Sequence, residues 1–239
     1  MNITLFTLLP AVLFLLLMAF VFYRLDGRLL RQSAVVVGRV VAVLLVLGGC
    51  LHYVFLWNNA WLNVLWVVLA SCLAAAAYCR RRWLVVPVLT GALPVSLVAG
   101  VAVVSLAGHG KLFGAWLFIP VMAVLVADAL FVCRRGLSVY AMERRVHQGL
   151  SEYLLGNGAT LLEARRPFVV AAVKRAFVPV LSQLLMVGVV FVPSMLCGLL
   201  IGGVEPWQAV AFIALLTAAA LCSSLLSLLL AVYIYERLK

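Results

Sequence analysis

The fold class predicted for this chain is an all-α, polytopic integral membrane protein of about seven transmembrane helices, with the N-terminus outside and the C-terminus cytoplasmic. Three observations carry that expectation. First, 67% of the 239 residues are hydrophobic and only 10% are charged, against roughly 45–50% apolar residues in soluble domains. Second, the apolar residues fall into runs near twenty residues long, the length that crosses about 30 Å of hydrocarbon at about 1.5 Å per residue. Third, the basic residues sort almost entirely to alternate loops, as positive-inside topology requires.

Taken in order, the runs between charged or polar punctuation are 5–23, 35–56, 61–78, 84–107, 112–133, 176–201 and 208–235. The first has no basic stretch before it and its flanking charge lies after it, so it is expected to stay in the mature protein rather than act as a secretory signal. The second carries Arg39 about one turn inside, where a long side chain snorkels to the interface. The third contains the run Ala74 to Ala77, and small residues also recur at Gly48, Gly49, Gly91, Gly100, Gly198 and Gly202; in membranes such residues let helix backbones approach closely. The sixth carries Pro179 and Pro193, with Gly188 between them, so it is read as a kinked helix or two short pieces that expose carbonyls to a cavity. Six or eight crossings remain compatible with the same runs.

Charge sets the orientation. Arg24, Arg28, Arg31, Arg39, Arg80, Arg81, Arg82, eight residues from Arg134 to Arg175, Arg237 and Lys239 fall on one side, which is seventeen of 18 basic residues. Only Lys111 falls on the other. The net charge of +11 is therefore a charge of the cytoplasmic side, and no nucleic-acid partner is expected. The chain reads as one transmembrane domain over 1–239, the bilayer its first partner.

The cytoplasmic stretch 134–175 holds the longest polar segment. Val139, Met142, Val146, Leu150, Tyr153 and Leu154 recur at three- and four-residue steps, so 138–155 is expected to form an amphipathic helix. Gly156, Asn157, Gly158 and Ala159 follow as a turn. Thr160 with Glu163 has capping-box spacing, and 161–175 is expected as a second short amphipathic helix, bent or restarted at Pro167. A helix, a turn and a helix suit a soluble motor that docks on this face; a basic loop on anionic headgroups suits the same spacing. There is no G-x-x-x-x-G-K-[ST] pattern, so any ATP-Mg is handled by a partner chain and the chain itself needs no cofactor.

From 152 to 235 the chain carries Gly158-Ala159-Thr160, Ala176-Phe177-Val178-Pro179, Val187-Gly188-Val189-Val190, Val192-Pro193-Ser194-Met195-Leu196-Cys197-Gly198 and Gly203-Val204-Glu205-Pro206. In these residues it resembles the FetB-type permease family of ABC transporters, which includes the membrane half of a plant aluminium-tolerance transporter. Fainter similarity runs through Gly38-Arg39, Gly48 and Ile119-Pro120. The resemblance implies a permease of the bacterial-type inner membrane, a homodimer with two copies of a separate ABC ATPase, and iron export or metal resistance. It also implies that Gly156, Asn157, Gly158, Ala159, Thr160 and Glu163 form the element that couples to the ATPase. Ser182, Leu185, Val43 and the stretch from Ala123 to Asp128 depart from the family pattern, which removes polar contacts and weakens iron as the cargo.

Asp128 is the sole acidic residue well inside a run, and a carboxylate there costs some 2.5–3.5 kcal/mol on insertion scales. Two readings are open: a pathway contact, or an ion pair with Arg134, Arg135 or Arg39. Ser182, Met186, Pro193 and Met195 complete the candidate pathway, the methionines as soft thioether contacts or as plain apolar filler. His52, His109 and His147 are scattered, the six cysteines form no C-x-x-C pair and no disulfide is expected. No hydrolase or zinc-protease motif occurs, so an enzyme is disfavoured. The rival classes are an ATP-independent transporter or channel and a structural membrane assembly protein.

Overall fold

The computed structural model describes residues 5–25, 27–79, 82–107, 113–186 and 194–238, and every regular element among them is an α-helix. Arg80, Arg81, His109, Lys111, Gly188, Pro193 and Lys239, all singled out above, lie outside the described residues, and so does the motif stretch 187–193. The helices are α1 (Leu5–Leu25), α2 (Gly27–Trp57), α3 (Ala60–Tyr78), α4 (Arg82–Leu106), α5 (Ala115–Val146), α6 (Gln148–Gly156), α7 (Leu161–Met186), α8 (Ser194–Ile201) and α9 (Pro206–Arg237). Six segments, in α2, α3, α4, α5, α7 and α9, are long and apolar enough to cross a membrane. The 21-residue α1 adds a strongly apolar helix about 32 Å long.

The chain divides into two compact units. Residues 1–57 hold α1 and α2, which pack on each other, and residues 58–239 hold the rest. In the larger unit α5 is the central pillar, in contact with α3, α4, α7 and α9. Its inward residues include Phe118, Met122, Leu125, Ala129, Val132, Cys133, Gly136 and Tyr140, which recur at three- and four-residue steps along the length of the helix. At one end of this bundle the Asn58 side chain accepts from the Ala115 backbone N–H at 3.0 Å and the Asn63 amide donates to the Phe113 carbonyl at 2.7 Å. These bonds tie the start of α3 to the start of α5. The opposite end carries the basic residues.

Close packing depends on small residues at only some of the expected positions. A Cβ on Gly91 of α4 would stand 2.8 Å from Ala231 Cβ and 2.9 Å from its Cα and backbone N on α9, so here two backbones meet directly. Gly100 likewise abuts Met122, whereas Gly198, and within the first unit Gly48 and Gly49, meet nothing of their own unit within 4 Å. Gly91→Ala is expected to cost about 1–3 kcal/mol by overpacking and to lower the thermal midpoint of the detergent-purified protein. An unchanged midpoint would mean that α4 and α9 are not held this closely.

The sixth span is in two pieces, one of the two readings of 176–201, but the first piece begins well before the expected start. Instead of a short amphipathic helix over 161–175 followed by a span over 176–201, one helix runs from Leu161 to Met186 through both Pro167 and Pro179, and Ser194–Ile201 is separate. Each internal proline removes a backbone N–H donor. The helix persists because Ala164, Phe168, Ala172 and Ala176, spaced by four, are all buried and α7 packs along α5, so burial outweighs the lost hydrogen bonds. The expected helix over 138–155 is also divided: α5 continues to Val146, His147 leaves helical geometry at φ −112° and ψ 40°, and α6 begins at Gln148.

Candidate functional site

Between α3, α5, α7, α8 and α9 lies a cavity of about 870 Å³. Its walls are largely apolar, and into it project Asp128 from α5, Gln183 from α7, Met195 from α8, and Thr217 and Ser224 from α9, with Tyr78 of α3 and Phe131 of α5. Asp128 sits six residues, about 9 Å of helix, from Arg134. It is accessible, and among the described residues it has no salt bridge within 4 Å. Arg134 instead places its guanidinium 4.2 Å from the centre of the Tyr78 ring, a cation–π contact. That arrangement removes the nearest basic residue proposed as a partner for Asp128.

The hydroxyls in the cavity are already oriented. Thr217 Oγ1 donates to the Ile213 carbonyl at 2.6 Å and Ser224 Oγ to the Leu221 carbonyl at 3.0 Å. With their protons turned back to the helix, both oxygens keep lone pairs for a visitor. Together with the Asp128 carboxylate they give the cavity an acceptor-rich polar surface.

Of the candidate pathway residues, the structure brings Asp128 and Met195 into this one cavity. Ser182 is absent from its lining and donates to the Val178 carbonyl at 2.8 Å. The Met186 side chain and Pro193 lie outside the described residues. Sequence reasoning missed Gln183, Thr217 and Ser224. The one signal for the last pair is their seven-residue spacing, which places two hydroxyls on the same face of a helix.

At the basic end of the bundle is a second arrangement that the sequence did not announce. Glu236, near the end of α9, has a side chain only 6% exposed. It accepts from Tyr140 Oη at 3.0 Å and from Arg144, both on α5, and pairs with Arg165 Nη2 of α7 at 3.1 Å. Glu143 of α5 pairs with Arg175 Nη2 of α7 at 3.1 Å and lies 3.6 Å from His147 Nε2. Two carboxylates thereby bind α5, α7 and α9 together where basic side chains would otherwise repel one another. The available hint was scarcity: with 7 acidic residues against 18 basic ones, an acid among the arginines is a strong candidate for pairing.

The turn after α6 has the geometry its residues require. Gly158 sits at φ +84°, donates its N–H to the Leu155 carbonyl at 3.1 Å, and is followed by Ala159, which donates to the Leu154 carbonyl at 3.0 Å. This pair of bonds is the Schellman motif, with glycine at the left-handed position. Asn157 Nδ2 adds a bond to the Tyr153 carbonyl at 2.9 Å. The capping box forms reciprocally: the Thr160 N–H donates to Glu163 Oε2 at 2.8 Å and the Glu163 N–H to Thr160 Oγ1 at 3.4 Å. The Thr160 N–H and hydroxyl, both donating to the Glu163 carboxylate, hold it below its ordinary pKa of 4.5. A lowered carboxyl stabilises the turn above that ordinary value and loses its effect as pH falls through the folded value. The cap is thus expected to be constant across neutral pH and to weaken only in acid, measurable as a loss of protection of the 160 and 163 amides once exchange rates are corrected for their intrinsic pH dependence. Around the turn, Met142, Val146, Leu150, Tyr153, Leu161 and Leu162 are exposed, and α6 buries no residue.

The profile of the uncharacterised protein family UPF0014 matches residues 5–238. The chain belongs to this family. It is also 27% identical over 206 residues, 84% of this chain and 78% of the other, to the "Probable iron export permease protein FetB" of Escherichia coli (strain K12). No solved structure matches. This member of the UPF0014 family is a multi-pass protein of a bacterial-type inner membrane and a permease-type transport subunit. The resemblance found from residues 152–235 therefore extends over nearly the whole chain.

Proposed function

We propose that the chain is the membrane-spanning permease subunit of an ABC-type exporter, powered by a separate ATPase and working as a homodimer, with a metal ion such as iron or a related small solute as cargo. The observation that carries this reading is the match to a named iron export permease over 84% of the chain. The basic end faces the cytoplasm in this reading, since Lys and Arg concentrate on that side. The ATPase meets the turn from Gly156 to Glu163 and the exposed apolar residues beside it. ATP-Mg binds only to the partner. Movement of the turn passes to the bundle through Arg165, two residues beyond Glu163, which is paired to Glu236 of α9. Alternating access follows because the docked motor contacts this turn differently in its open and closed states.

Gentle detergent extraction tests the reading. A nucleotide-binding chain is expected to copurify in stoichiometric amount, and its ATPase rate is expected to change on reconstitution with this permease. Reproducible purification of the permease without such a chain, from cells that contain its ATPase, would overturn it.

A further inference from the structure

We propose that the cavity at Asp128 takes a lipophilic organic cation, its single charge set against the Asp128 carboxylate and its apolar body against the walls, rather than a bare metal ion. The inference rests on the permease reading for its role in transport, where it narrows the cargo from a metal ion to a small solute, but as a binding site it stands on the cavity alone. A volume of about 870 Å³ falls in the range of sites that enclose a drug-sized molecule. A dehydrated metal ion fills only a small part of it.

Charge and coordination point the same way. First-row metal sites in proteins use three or four nitrogen, sulfur or oxygen ligands. Among the described residues no three His, Cys, Asp or Glu converge, and the neighbouring sequence 187–193, Val-Gly-Val-Val-Phe-Val-Pro, contains none of these types. Asp128 is the one carboxylate in the lining. A divalent ion there keeps an uncompensated positive charge among apolar walls, which is strongly unfavourable. A monovalent cation is neutralised one to one.

The rest of the lining fits an organic shell. Val124, Leu130, Phe131, Leu184, Ile213 and Leu216 supply apolar surface, and burying a ligand's hydrocarbon against them is favourable in proportion to area. Phe131, its ring centre 6.4 Å from that of Tyr78, offers an aromatic surface suited to a cation. The Thr217 and Ser224 oxygens, their protons committed to backbone carbonyls, face a cation as acceptors. Without a ligand Asp128 has no charged partner among the described residues, so a cation relieves an unfavourable charge instead of displacing an existing bond.

The test is equilibrium binding of radiolabelled tetraphenylphosphonium to the full-length chain in nanodiscs. Saturable binding is expected, displaced by excess unlabelled tetraphenylphosphonium and undiminished by an equal concentration of a neutral apolar compound such as biphenyl. Asp128→Asn is expected to weaken binding by roughly tenfold or more, because the amide keeps the shape of the side chain but removes the one negative charge that faces the cation. Asp128→Glu, which keeps the charge, is expected to retain most of the affinity, and both variants are checked for wild-type thermal midpoint. The proposal is overturned by absence of saturable binding, by equal affinity of wild type and Asp128→Asn, or by ferrous ion binding that requires Asp128 and is unaffected by tetraphenylphosphonium. No ATPase is present in this assay. Failure of the motor to copurify therefore strikes the permease reading alone, and failure of binding strikes the cavity assignment alone.

Discussion

Glu236→Ala is expected to lower the thermal midpoint of the purified chain by roughly 5–10 °C, corresponding to about 2–3 kcal/mol. The carboxylate is 6% exposed and touches Tyr140, Arg144 and Arg165. Its removal leaves two guanidinium groups and a phenol without their acceptor at a helix junction. Breaking a fully buried pair costs about 3–5 kcal/mol; the arginine side chains here are 32% and 33% exposed, so water recovers part of that loss. Glu236→Gln keeps one acceptor oxygen and is expected to fall between the two. Arg165→Ala alone is expected to be milder, since Arg144 remains on Glu236. The double variant Arg165→Ala with Glu236→Ala is expected to be less destabilised than the sum of the singles, because the two residues share one interaction. Strict additivity would show that Glu236 does not join α7 to α9.

In the proposed exporter, Gly158→Pro is expected to abolish stimulation of the proposed ATPase partner, a loss of roughly tenfold or more, while leaving the thermal midpoint of the bundle nearly unchanged. Proline holds φ near −65° and carries no N–H, so it can reproduce neither the φ of +84° nor the bond to the Leu155 carbonyl. The bundle is spared because a Cβ at 158 meets nothing within 4 Å and α6 buries no residue. Gly158→Asn is the corresponding rescue, since asparagine tolerates the left-handed region. Full stimulation by Gly158→Pro would remove the turn from the coupling path. A bundle that unfolds would show instead that the turn is part of the structural core.

These two positions show what local sequence can disclose. The turn at 156–160 was legible because every contact in it lies within six residues, and Gly158, Asn157, Thr160 and Glu163 each have a short-range reason to be where they are. Glu236 was not legible, because Tyr140, Arg144 and Arg165 stand 96, 92 and 71 positions away and no periodicity links them. The same holds within the cavity. A lone carboxylate in an apolar run singled out Asp128, but its joining with Met195, Gln183, Thr217 and Ser224 required four helices to converge. The departure of Arg134 to Tyr78 likewise reflects the position of α3 against α5.

The sixth span makes the point from the opposite side. Charge density suggested that 161–175 lay outside the membrane helix, and proline suggested a break within it. Neither signal registers that Ala164, Phe168, Ala172 and Ala176 find a wall to pack on. Composition and local pattern by themselves determined the membrane class, the near-count of spans, the two charged and uncharged ends and the turn chemistry, because each depends on transfer between water and hydrocarbon or on bonds made within a few residues. Tertiary structure alone decided which glycines are pressed against a neighbour, where α7 begins and ends, which carboxylates close the basic end and what surrounds Asp128. Those outcomes depend on the fit of surfaces far apart in the chain, and such a fit is set only when the helices pack.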